Sequence, residues 1–537
     1  MIGQDGETMT TTIQAPTRIL RQTDKENSSC PLFDDAPTSS RWLFVFMLTA
    51  IYAVPIVVAL RPVAVPVVDP DIWWHLRVGQ WVCEHRAVPV TDPFSRYGAD
   101  KPWIAYSWLY EVLVYRLYEM FGLAGIVVYR VAMSLAVVAA LHRLIRRREP
   151  RFLVAAGLTG VSALALTPLF SERPWLFTIF FTALTLDVLF DLHEGKVTLA
   201  TWLLPIVYVL WANLHIQFVY GLFLLGLACI PFPCWRCRLV KRCTLAGLCL
   251  LATLANPYHV QLYRVIVEYA TQPGPFHCIN ELRALEFRET PDWVGLFLGA
   301  AAVFALGRRQ RLSIFEVLVL ASAGIFAFRS RRDLWWLVLA SAAILASRER
   351  KGSDEAVPQR LRARLIDIGA ITLLLAGLIG LVAWKRDLSE ENLRRKVASV
   401  FPVEATAVVA DLDYPGPLFN DFNWGGFLIW SLPQRPVVLD GRTNLHGDER
   451  ILRIGNTWAA GPGWRDDPDL ESAGVVLADV QSPLGCVLGL DERFQLVYED
   501  AIVRVFVRKR PEARASCPTI RGQSSRAAHH RNETGTP

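Results

Sequence analysis

Apolar residues gather in the middle of this chain. Runs of about twenty, the length that spans a bilayer's hydrocarbon core, recur between residues 42 and 384, while both ends are polar. Read as helices, these runs give eleven spans, centred near residues 51, 128, 161, 183, 205, 225, 249, 300, 320, 341 and 375. Four basic clusters lie between them. Arg143, Arg146, Arg147, Arg148 and Arg151 follow the second span, and Arg236, Arg238, Lys241 and Arg242 the sixth. Arg308, Arg309 and Arg311 follow the eighth, and Arg348, Arg350, Lys351, Arg360, Arg362 and Arg364 the tenth. With the amino terminus inside, all four fall on one face, which the positive-inside rule makes cytoplasmic. An odd number of spans then places the carboxyl-terminal part outside.

From residue 385 the pattern shortens. Val408-Val-Ala, Pro436-Val-Val-Leu-Asp440, Gly474-Val-Val-Leu-Ala478 and Ile502-Val-Arg-Val-Phe-Val507 read as short strands. Helices are expected around Trp424 to Leu432 and Asp448 to Trp458, and a helix from Val403 is the alternative for the first run. Alternating strands and helices predict an extracytoplasmic α/β domain over 385–510. Residues 1–40 and 511–537 are polar and mixed in charge, so both are expected to be disordered tails, the first of them cytoplasmic. No apolar core follows Met1, which argues against a cleaved signal peptide. The fold class expected is therefore mostly α: a polytopic membrane helical bundle over 41–384, with a large first outer loop at 68–107, followed by a soluble α/β domain.

Composition supports this picture. Of 537 residues, 53% are hydrophobic, far from evenly spread, and the net charge is only +6. The basic residues sit between apolar runs rather than on a face with interleaved aromatics, so no nucleic-acid partner is expected. Ten cysteines are scattered. Cys234-Trp-Arg-Cys237 has metal-ligand spacing but no second pair, and structural zinc needs four ligands.

The polar chemistry collects on the face read as outer. Asp69-Pro-Asp-Ile-Trp-Trp-His comes directly after the first span. Charged groups at a membrane boundary are costly unless solvated or paired, so their presence suggests a site. If residues 71–85 are helical, Asp71, His75 and Val78 share one face, beside a stripe of Trp74, Val78 and Trp81. Such a helix would lie along the membrane surface with its tryptophans at headgroup level. Ser171-Glu-Arg-Pro174, Trp211-Ala-Asn-Leu-His215, the segment from Asn256 to Trp293 and Arg329 to Asp333 form the other outer segments.

Several of these pieces are similar to a known group: the acidic first loop, Arg173-Pro-Trp-Leu-Phe-Thr, Trp211-Ala-Asn-Leu-His and Ala255-Asn-Pro-Tyr. Leu418-Phe-Asn-Asp-Phe-Asn-Trp-Gly-Gly-Phe and Val438-Leu-Asp-Gly-Arg-Thr in the tail domain belong with them. Over roughly residues 42 to 508 the pattern resembles bacterial inner-membrane proteins of the glycosyltransferase C superfamily. The resemblance implies transfer of a sugar from a polyprenyl-phosphate-linked donor to a glycan, lipid or protein acceptor outside the cytoplasm. It also implies that an acidic residue of the first outer loop acts as base. Many relatives carry Asp-Glu or a single Asp there, so Asp69-Pro-Asp71 leaves open which carboxylate acts.

The chemistry needs a base for the acceptor hydroxyl and positive charge for the phosphate leaving group. Asp69 and Asp71 are the base candidates. Arg173, His215, Arg331 and Arg332 are candidates for the phosphate, and His75, Trp74, Glu111 and Asn213 for lining the substrate site. Asn423, Asp440 and Arg442, with Asn420, would converge at strand ends and meet saccharide or acceptor. Glu172 with an aspartate could hold a divalent ion such as Mg or Mn.

Plainer roles compete with these. Asp69 and Asp71 can cap the surface helix, and Trp73, Trp74, Trp103 and Trp108 can be interfacial anchors. Arg173 can snorkel at a span end, and Asn213 and His215 can satisfy each other. Trp424-Gly-Gly-Phe lets a helix begin tightly against its neighbours. A lipid-linked glycan transporter would predict inverted repeats, and none is found. A non-catalytic assembly protein of envelope biogenesis is the other rival.

Overall fold

In a computed structural model, the structure describes residues 67–99, 101–230, 236–347, 387–411, 414 and 416–509, with isolated positions 53, 57, 58, 377, 380, 520 and 521. Nine of the eleven expected span centres fall on helices, and those near 51 and 375 lie outside the described residues. Three of these helices are long and apolar enough to cross a membrane: Leu123–Arg146, Trp175–His193 and Thr290–Gly307. The others are shorter; Phe218–Ala228, with 11 residues, reaches only about 16 Å at 1.5 Å per residue. The tails expected at 1–40 and 511–537 also lie outside the described residues, except that Ile520–Arg521 forms a two-residue strand.

Trp175–His193 runs from the candidate site to the opposite end of the bundle. There Asp187 accepts from Arg147 and from Arg148 (2.9 Å), and Asp191 accepts from Arg147 (2.7 Å). The arginine cluster expected on the cytoplasmic face is thus partly neutralised by carboxylates of the neighbouring helix.

Asp71–His85 is helical, as its periodicity predicts, but it does not lie free on a surface. Trp73 and Trp74 are corrected from interfacial anchors to core, whereas Trp81 is half-buried and stacks on His85. Trp73 meets Phe401 and Phe427 of the tail domain edge-on, at ring-centre distances of 5.6 and 5.2 Å. Trp103 is buried as well. The short helix Gly425–Ser431 packs on Asp71–His85, and a Cβ at Gly426 would collide with the Pro70 carbonyl. The expected role of Trp424-Gly-Gly-Phe as a close-packed helix start matches this arrangement. Glu390 reaches back from the tail domain to accept the Leu123 amide at 3.0 Å, a carboxylate at a helix amino end where the dipole favours it.

The tail domain carries a five-stranded sheet of order β1-β2-β4-β3-β5, with β1 Leu418–Asn420, β2 Val475–Asp479, β3 Phe494–Glu499, β4 Val503–Arg508 and β5 Ile520–Arg521. β1 runs parallel to β2, β4 antiparallel to both β2 and β3, and β5 parallel to β3. Two strands were anticipated in place, those over 474–478 and 502–507. Val408-Val-Ala is instead within helix Val403–Asp411. Pro436 to Asp440 is extended but joins no strand ladder. Val437 bridges to Ser95 of the first loop, and its carbonyl accepts from the Arg96 amide at 3.1 Å. The domain is therefore stitched to the loop it covers. Its own core includes Phe419 stacked on Trp458 with centres 5.4 Å apart.

Candidate active site

A cavity of about 790 Å³ opens between the ends of the bundle helices and the tail domain. The first loop contributes Asp71, Trp74 and His75, and the loop before Trp175–His193 contributes Arg173. His215, Tyr220, Arg329, Arg332, Asp333 and Asn423 are among its other polar lining residues, and Gly441 forms part of the wall.

The acid pair is held by one arginine. The Asp69 carboxylate accepts the Asp71 amide at 2.9 Å, which sets the turn that starts the helix. Arg173 donates through Nε to Asp69 and through Nη1 to Asp71. The loop that carries Arg173 is itself pinned. Tyr110 donates to the Glu172 carbonyl, Tyr129 to the Arg173 carbonyl at 3.0 Å, and Arg130 to the buried Glu172 carboxylate at 2.9 Å. These three anchors were not anticipated; each lies inside a helical stretch where nothing local marks it.

Asp71 faces the cavity, whereas Asp69 does not line it. Burial pushes the Asp71 carboxyl up to about 6, with Arg173 opposing and the neighbouring Asp69 adding to the rise. A Cβ on Gly441 would collide with the Asp71 carboxylate, so only glycine leaves this oxygen room.

His75 and Glu111 meet at 3.1 Å, both almost fully buried. Burial lowers the imidazole well below its ordinary value and raises the carboxyl well above its own, so burial disfavours charge on either partner. Only His75 of the two lines the cavity. His215 also lines it, bonded to Thr178 Oγ1 at 2.8 Å and kept neutral by burial and by Arg332 and Arg173.

Other expected residues separate. Arg332 lies over the Trp175 ring at 5.0 Å, with Arg173 on the same ring at 5.3 Å. Among the described residues Arg332 forms no ion pair, and its buried Nε has no hydrogen-bond partner. Arg331 turns away, 3.5 Å from Asp292, and does not line the cavity. Asn213 is consumed by structure: Trp108 Nε1 donates to it at 2.8 Å, and its own amide nitrogen donates to the carbonyls of Val209 and Ala255. It does not pair with His215.

Asp440 and Arg442 are not at an open strand end. Arg442 donates to Asp440 (2.8 Å) and to Asp92 of the first loop (2.6 Å) beneath the rings of Phe94 and Trp103, while His446 Nε2 reaches Asp440 at 3.2 Å. Against the rise that burial would cause, Arg442 first and then the His446 ring hold the Asp440 carboxyl far below the usual range. This closed network fixes Leu439 and Gly441, which form the cavity wall. Asn420 is likewise structural, its amide nitrogen donating to the Leu439 carbonyl at 2.8 Å. Asn423 alone of the tail candidates lines the cavity.

The carboxylates suggested for a divalent ion already have cationic partners, Arg173 for Asp69 and Asp71 and Arg130 for Glu172. As arranged they do not form a metal cage, and among the described residues no group of three His, Cys, Asp or Glu side chains is placed to hold one.

No family model and no curated protein matches the chain. Among solved structures, the Archaeoglobus fulgidus oligosaccharyltransferase in its apo form is similar at 12% identity and a TM-score of 0.37, over 82% of this chain and 70% of that one. The same protein tethered to an acceptor peptide gives 12% and 0.39, over 81% and 69%. ArnT from Cupriavidus metallidurans in the apo state gives 14% and 0.42, over 88% and 98%. Both solved proteins are glycosyltransferases of the C superfamily. The likeness is one of outline.

Proposed function

We propose that this chain is a membrane glycosyltransferase that moves a sugar from a polyprenyl-phosphate-linked donor to a hydroxyl-bearing acceptor on the extracytoplasmic side. One observation carries the reading: Asp71, a carboxylate raised to about 6, shares a cavity with Arg332, a guanidinium in no direct ion pair among the described residues. A base near neutrality is the useful kind, because it is ionised at working pH and still takes a proton readily. A guanidinium whose buried Nε has no hydrogen-bond partner suits an anionic ligand such as a phosphate ester.

In this mechanism Asp71 accepts the proton of the acceptor hydroxyl as its oxygen bonds to the anomeric carbon. The bond from that carbon to the phosphate oxygen breaks, and the polyprenyl phosphate leaves with the electron pair. Arg332, with Arg329 at the cavity edge, balances the charge on the departing phosphate. Arg173 keeps the Asp71 carboxylate in one orientation and is a positioning residue. The tail domain closes the cavity and contributes Asn423 towards the acceptor.

The direct contact between Asp71 and Arg173 favours a second reading, in which the pair only braces a non-catalytic scaffold. The full chain in proteoliposomes, supplied with a panel of undecaprenyl-phosphate-linked sugars and envelope extract, separates the two. Release of undecaprenyl phosphate with label appearing in an acceptor supports the enzyme. Complete donor retention across the panel would favour the scaffold.

A further inference from the structure

Arg332 has a neighbour whose position is chemically odd. Asp333 ends the turn Arg331–Asp333 and occupies the N-cap position of helix Leu334–Ala346, yet its side chain makes no capping hydrogen bond. Aspartate is favoured at that position because it caps. Here Oδ2 instead accepts from the Tyr220 hydroxyl at 3.1 Å, and the buried Oδ1 has no partner. The residue is only 9% exposed. A buried acceptor without a donor is costly, and a native structure that keeps one invites a missing partner. Asp333 and Tyr220 both line the cavity that holds Asp71.

The surroundings decide what kind of donor fits. Burial raises the Asp333 carboxyl to about 6, and the fields of Arg332 and Arg329 oppose that rise. An incoming ammonium would meet two guanidinium groups, whereas a neutral hydroxyl would not. Tyr220 cannot drift from its place, since its ring packs on Phe326, Trp335 and Trp336 at 5.3 to 5.7 Å. The carboxylate is therefore held by a rigid phenol on one oxygen and left available on the other.

We infer that Asp333 and Tyr220 form a hydroxyl-reading subsite for the sugar ring of the donor, one residue along from the guanidinium that takes its phosphate. The inference rests on the glycosyltransferase reading and adds to it a group that selects among sugars. A glycosyl phosphate suits such adjacency, because its ring hydroxyls lie only a few bonds from the phosphate.

The test uses the full chain in nanodiscs and native mass spectrometry. The probes are bare undecaprenyl phosphate and its glucosyl, galactosyl and mannosyl esters. Wild type should retain at least one glycosyl ester more strongly than the bare carrier. Asp333→Asn and Tyr220→Phe should each reduce that preference by about tenfold, the size of one hydrogen bond to a charged group, and leave bare-carrier binding no weaker than in wild type. Unaltered preference in both variants would overturn the subsite. So would loss of bare-carrier binding in step with the esters, which would make Asp333 a support for the phosphate or for the fold. Wild type that retains the bare carrier without any sugar preference would overturn the subsite alone. Retention of no carrier at all would remove the donor reading from which it follows.

Discussion

Acidification should silence this protein through Asp71 before it unfolds it. The carboxyl sits at about 6 against an ordinary 3.8. A base of that kind is about nine-tenths ionised near pH 7 and about one-tenth ionised near pH 5, so kcat/KM should fall about tenfold between them. The sign for stability is opposite. The folded state holds this proton more tightly than the unfolded chain, so the contribution of Asp71 to stability is greatest below about pH 3.8 and is lost as pH rises to about 6. The difference amounts to about 3 kcal/mol above that window, at about 1.4 kcal/mol per pH unit. Asp71→Asn keeps the site neutral and should abolish transfer while raising the melting temperature at neutral pH. The assays are initial rates of sugar transfer across a pH series and thermal melting of both proteins in one detergent. A flat rate profile down to pH 5, or a variant that melts below wild type, would refute the reasoning.

Three further outcomes follow from named contacts. Gly441→Ala drives a methyl into the Asp71 carboxylate and should lower kcat at least about tenfold; full activity would mean that Asp71 has more freedom than the structure gives it. Arg442→Ala strands Asp92 and Asp440 without their cation and should destabilise by about 3–5 kcal/mol in thermal or denaturant melts, and a loss under about 1 kcal/mol would contradict the network's role. Arg332→Ala should weaken retention of undecaprenyl phosphate by about 10- to 100-fold, as expected for a charge-assisted bond, without shifting the melt; unchanged retention would place the phosphate elsewhere.

The parts legible in the sequence are those with a local signature. Asp71–His85 announces itself through its acidic start and its periodicity, and Arg173 through its place before Pro174 and a long apolar run. The contacts that are not legible act across great sequence distance. Arg442 meets Asp92 350 positions away, and an arginine after Asp-Gly looks like any turn. Trp73 looks like a membrane anchor because an amphipathic helix beside a span usually has nothing else to cover it; only the folded tail domain supplies Phe401 and Phe427. Val408 and Val409 have strand propensity, but burial of Ala405 and Val409 along one helical face overrides it. Asp333 carries no local mark in the sequence, since aspartate at a helix start has an ordinary role as a cap, which its side-chain geometry rejects.

Single-turnover transfer offers the sharpest trial. Wild type and Asp71→Asn, each preloaded with a glycosyl undecaprenyl phosphate that the wild type retains, are mixed with acceptor in a stopped-flow quench. Wild type should deliver the sugar and release undecaprenyl phosphate, while the variant should hold its donor intact. Equal bursts from the two proteins would show that some other group takes the proton.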